Sequence, residues 1–155
     1  MLQRIQSIWL FFATACIFSL FLFPYLQVLQ PDGSAKSLKV TGVYENIAGQ
    51  VVQTEPFLAL TIATVILGLI PFVIIFLYQH RKRQIMLSYL AIVLIIGFSF
   101  WLIQTAKAAL GPVNLQAENY GIGSMVPSIA ILFIILAIRG IKKDERMIKS
   151  ADRLR

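Results

Sequence analysis

Few residues in this chain are of a type that does chemistry. Cys16 is its one cysteine and His80 its one histidine, among 155 residues. A lone thiol excludes an intramolecular disulfide and any cysteine-rich zinc or iron–sulfur site. A lone imidazole excludes a multi-histidine metal centre. His80 also lies in the basic run Gln79-His80-Arg81-Lys82-Arg83-Gln84, where it reads as a solvated neighbour of cations and not as a catalyst. The polar residues inside apolar stretches are Thr14, Ser19, Thr61, Thr64, Ser88, Tyr89, Ser99 and Gln104. None has an evident base, and no pair of carboxylates is spaced for acid–base work. Gly121-Ile122-Gly123 lacks the later glycine and the preceding strand of a phosphate loop. Proton-coupled transport usually shows a buried acid or histidine, and the apolar stretches carry neither. The sequence therefore predicts no catalytic residue, no cofactor and no metal, and a protein that is not an enzyme.

The elements that hold these residues are apolar. Hydrophobic residues make up 58% of the chain and charged ones only 14%, where soluble domains carry about 25% charged. That balance also excludes a disordered chain. A membrane-crossing helix needs about 20 apolar residues, and four segments qualify: about 5–26, 56–78, 85–110 and 124–141. Lipid offers no partner to open backbone groups, so each is expected to be helical. The third carries Lys107 one turn from its end, where a long side chain can snorkel to the headgroups. The fold class predicted is an all-α membrane protein: a bundle of four transmembrane helices in a single domain over 1–155. A small β-hairpin occupies the 27–55 loop, and a basic amphipathic helix occupies the 142–155 tail.

Eleven of the fourteen basic residues fall before the first span, between the second and third, or close or follow the fourth. The other side holds Lys36, Lys39 and Lys107 with four of the seven acids. Basic loops face the cytoplasm, so both termini are expected there. Ala13-Thr14-Ala15-Cys16 loosely resembles a lipoprotein cleavage site, but Ile17 to Phe23 stay apolar after it. The segment is read as an uncleaved anchor, with Cys16 a packed thiol.

Pro31-Asp32-Gly33 is a turn signal. With 25–30 before it and 37–44 after it, the turn predicts a hairpin, to which Gln50–Gln53 can add a third strand. Gly68 and Pro71 predict a kink in the second helix. The third helix, about 39 Å long at 1.5 Å per residue, is expected to tilt or project. Trp9 and Trp101 are read as interface markers, Trp101 equally as packing. Gly121, Gly123, Ser124 and Ser128 form a helix-contact face of small residues in the fourth span.

In the tail, Ile141, Ile148, Ala151 and Leu154 share one helical stripe. Three readings stay open: the tail rests on anionic lipid, it extends the fourth helix and docks on a partner, or it is a solvated basic flank. The contact residues for lipid or a partner are Arg146, Ile148, Lys149, Ala151, Asp152, Arg153, Leu154 and Arg155. The basic groups lack aromatic interleaving, so no nucleic acid is expected.

Two terminal motifs, Met1-Leu2-Gln3-Arg4-Ile5-Gln6-Ser7 and Asp144-Glu145-Arg146-Met147-Ile148-Lys149-Ser150-Ala151-Asp152-Arg153-Leu154-Arg155, carry a family likeness. With four spans between them, the chain resembles a bacterial family called domain of unknown function 4293. The resemblance implies a small inner-membrane protein and carries over no activity or catalytic residue. Two functions are expected: a non-enzymatic scaffold or accessory subunit with a protein partner or its own copies, or a small channel or carrier for an uncharged solute. A lipid-directed enzyme is a distant third.

Overall fold

The computed structural model describes residues 3–29, 35–47, 50–78, 80–111 and 117–152. The helices are α1 (Gln3–Ser19), α2 (Leu58–Phe76), α3 (Arg81–Leu110) and α4 (Val126–Asp152). Between α1 and α2 lie four strands: β1 (Leu26–Leu29), β2 (Ala35–Lys39), β3 (Gly42–Ile47) and β4 (Gln50–Pro56). Among the described residues, three helices are long and apolar enough to cross a membrane: α2, α3, and Ile122–Met147, which includes most of α4. They point to a membrane protein.

Each helix buries one stripe. On α3 it is Gln84, Ser88, Ala91, Ile95, Phe98, Leu102 and Ala106, at steps of three or four that keep side chains on one face. On α4 the stripe runs Ala130, Ile134, Ala137, Ile141, Asp144, and on α1 Gln6, Leu10, Ala13, Ile17, with Leu20 buried just past its end. The opposite faces expose Ile62, Phe72, Val93, Phe100 and Leu132, an arrangement that suits lipid. α1 packs most extensively on α4 and then on α2, and α3 closes against α2 and α4. A Cβ on Gly68 would stand 3.0 Å from the Phe18 ring, so glycine lets α1 and α2 approach closely here.

Several expected boundaries differ. The first helix stops at Ser19, and Leu26 is already in β1. Pro24 disfavours helix in the residue before it, and the chain leaves through turns at Leu20–Phe23. The 17 residues of α1 give about 25 Å of helix, less than the roughly 30 Å of a hydrocarbon core. The third helix begins at Arg81, ahead of the expected Ile85, because Arg, Lys and Gln are good helix formers. The tail is no separate helix: α4 continues through Gly140 to Asp152. Arg153, Leu154 and Arg155 lie outside the described residues.

The expected hairpin is a four-stranded antiparallel meander in the order β1-β2-β3-β4. Leu26 pairs with Leu38 and Leu29 with Ala35; the Pro31–Gly33 turn lies outside the described residues. The stretch 37–44 is not one strand but two, reversed over Val40-Thr41 between paired Lys39 and Gly42. Gly42 makes this possible: its φ is 152° and a Cβ there would sit 2.2 Å from the Glu55 carbonyl oxygen. Leu38, Val40 and Val43 are buried. The Thr61 hydroxyl of α2 donates to the Val40 carbonyl at 3.0 Å, fixing the sheet to the helix. Every residue of β4 is exposed.

Candidate functional site

Buried polar groups gather at the two ends of the helices. At the basic end, the Gln6 Nε2 amide of α1 donates to Asp144 Oδ2 of α4. Both residues are buried. Gly140 stands beside them, where a Cβ would meet Gln6 Cγ at 3.0 Å. Gln84 Nε2 donates to the Ile74 carbonyl at 3.2 Å, a second bond to an oxygen that also accepts the Leu77 N–H at the end of α2. Around this layer the surface is cationic. His80, Arg81, Lys82, Arg83 and Glu145 line a shallow cleft of about 370 Å³. Lys142 Nζ reaches the Tyr89 hydroxyl at 2.9 Å and lies 5.3 Å from its ring centre.

At the sheet end, the chain crosses itself closely. The Gly121 N–H donates to the Tyr25 carbonyl and the Gly123 N–H to the Pro24 carbonyl, both at 3.1 Å. A Cβ on Gly121 would fall 2.3 Å from the Pro24 oxygen, and one on Gly123 2.8 Å from the Phe23 and Pro24 oxygens. Only glycine permits that approach. Tyr25 also donates its N–H to the Leu38 carbonyl at 2.9 Å. Its side chain is 4% exposed. Among the described residues, its hydroxyl is the one buried side-chain polar atom without a hydrogen bond. Thr105 lies nearby; its proton goes to the carbonyls of Trp101 and Leu102, and its oxygen makes no hydrogen bond to the Tyr25 hydroxyl. Beside Tyr25 opens a mostly apolar cavity of about 260 Å³, lined also by Ser99, Leu102, Ile103, Ala106 and Ser124.

Four of the hydroxyls singled out in the sequence turn inward on their own helices. Thr14 donates to Leu10, Thr64 to Leu60, Ser88 to Gln84 and Ser99 to Ile95. Such bonds satisfy a polar group in an apolar setting and leave its proton engaged. Among the described residues no cluster of three His, Cys, Asp or Glu is placed to hold a metal. Trp9 stacks on Phe133 at 5.8 Å across α1 and α4, and Trp101 is 42% exposed.

The small residues expected on a helix-contact face fall into different places. Gly121 and Gly123 precede α4 and meet the backbone of 23–25, Ser124 lines the cavity, and Ser128 is exposed. Of the expected tail contacts, Arg146 is exposed, while Ile148, Lys149, Ala151 and Asp152 belong to the last turns of α4. Sequence reasoning missed Gln6, Tyr25 and Asp144. For Asp144 a signal existed, since it continues the four-three spacing of Ala130, Ile134, Ala137 and Ile141.

A family model described as "Domain of unknown function (DUF4293)" matches residues 2–154. The comparison with curated proteins finds no match.

Proposed function

Since the chain belongs to the DUF4293 family, whose description assigns no activity, we propose that it is a non-enzymatic scaffold or accessory subunit of a membrane complex. In this reading it crosses a bacterial inner membrane four times, with both termini in the cytoplasm. The course of α1 supports the fourth crossing. Gln6 sits beside Asp144 at one end, and Phe23 to Tyr25 meet Gly121 and Gly123 at the other. Residues 6–25 therefore run the same distance as 121–144. The turns at Leu20–Phe23 supply the length that α1 alone lacks. Orientation follows from the cations of the Arg81–Arg83 turn and of Lys142, Lys143 and Arg146. These also suit anionic lipid headgroups.

The observation that carries the scaffold reading is strand β4. It is an edge strand, exposed along its whole length, with Val51 69% and Val52 47% exposed. An open edge with apolar side chains is a template for a strand from another chain. A cross-linkable cysteine at position 51, in a Cys16→Ser background, tests this in native membranes. Capture of one protein neighbour through β4 is expected. A β4 with no neighbour, together with solute flux through proteoliposomes, would replace this reading with the channel or carrier. That alternative finds less support, because the helices meet largely through apolar side chains such as Leu10, Ile17, Leu67 and Ile134.

A further inference from the structure

The cavity at the sheet end combines three features that point to a ligand. It is small and mostly apolar, and it lies where α3 and the start of α4 meet the exit from α1. At about 260 Å³ it is larger than the ~150 Å³ cavity that holds benzene and just below the range of drug-sized pockets, about 300–1,000 Å³. It accommodates one ring, or the head of a longer molecule, and not a whole lipid. Its polar groups are unevenly satisfied. Ser99 Oγ donates to Ile95 at 2.9 Å, and Ser124 Oγ donates to Gly121 at 2.8 Å. The Tyr25 hydroxyl is left over.

An enclosed hydroxyl without a partner is destabilising, because it has lost its water and gained no bond in exchange. Thr105 is followed in sequence by Ala106 and stands two residues after Ile103, both of which line the cavity. The tyrosine is held in place from both sides, by the bonds to Leu38 and Gly121. A ligand that satisfies it must accept a hydrogen bond and must be attached to an apolar body that the remaining wall tolerates.

We infer that this cavity binds the carbonyl-bearing head of an apolar molecule resident in the bilayer, with the Tyr25 hydroxyl donating to the carbonyl oxygen. Two sources share that chemistry: the acyl ester of a glycerolipid and the ring of a quinone. A free, water-soluble carbonyl compound would gain little from the apolar wall. This site is separate from the β4 edge and does not depend on what β4 contacts.

The test uses the full chain purified in a maltoside detergent. One arm titrates a benzoquinone bearing a ten-carbon tail, and the other dioctanoylglycerol. Binding is read by calorimetry and by the rise in unfolding temperature. A saturable rise with at least one probe is expected, and the responding arm identifies ring or ester. Tyr25→Phe should weaken that binding about fivefold, the loss of about one hydrogen bond. Ile103→Trp, placed at a position 42% exposed at the cavity wall, should abolish it by filling the space. If Ile103→Trp fails to fold, Tyr25→Phe is sufficient by itself. Failure of both probes to saturate, or binding by Tyr25→Phe equal to that of the parent protein, would overturn the inference.

Discussion

At the basic end of the helices, Gln6 and Asp144 satisfy each other across α1 and α4; at the sheet end, Tyr25 is equally buried and its hydroxyl is unmatched. Both sites lie where α1 approaches a terminus of α4. The first joins two helices that are the chain's opposite ends in sequence, and its polarity is consumed in doing so. The second is held by backbone bonds from the glycines at 121 and 123, so its side chain is free of a structural bond. A buried polar group already paired acts as a fastener, whereas one left unpaired beside a cavity is available to a ligand.

The largest expected effect breaks the fastener. Gln6→Leu strands the Asp144 carboxyl in an apolar setting and should cost about 3 kcal/mol, read as unfolding in detergent. The double variant with Asp144→Leu should recover most of the loss, because replacing both partners by apolar groups is nearly neutral. If the single and double variants were equally destabilised, the two residues would not act as a pair.

Next comes the crossing at the sheet end. Gly121→Val places a side chain against the Pro24 carbonyl and should cost about 1–3 kcal/mol through overpacking. Cross-linking between engineered cysteines on either side of the crossing should fall with it. Tyr25→Phe sharpens the contrast from the other side. In the ligand-free protein it should leave stability unchanged or raise it by up to about 1 kcal/mol, since it removes an unpaired hydroxyl. A loss as large as that of Gln6→Leu would show that Tyr25 is a fastener too. The smallest effect is expected at β4. Val52→Lys, introduced beside the cross-linking cysteine at position 51, should shift stability by no more than about 0.5 kcal/mol while abolishing capture of a neighbour through the strand.

Much of this architecture is legible in the residues. The long apolar runs of α2, α3 and α4 follow from composition and length alone, and the pairing of β1 with β2 follows from alternation about a Pro-Asp-Gly signal. Gly42 lay inside the expected strand 37–44 and gave no sign that it reverses the chain, because the reason lies in the Glu55 carbonyl across the sheet. Gly121 and Gly123 likewise read as small helix-facing residues. Their partner is a backbone almost one hundred positions away.

Asp144 shows the boundary most clearly. Its charge places it with the solvated tail when residues are read in order, whereas its spacing places it on the buried stripe of α4. Only the approach of α1, bringing Gln6 as a donor, makes burial of that carboxyl tolerable. By itself the sequence determined which segments are apolar, which faces they share and which loops carry cations, because those properties depend on side-chain type and helical period. The tertiary structure alone decided which polar groups find partners. A hydrogen bond between distant segments depends on where two backbones meet, and no local pattern encodes that meeting.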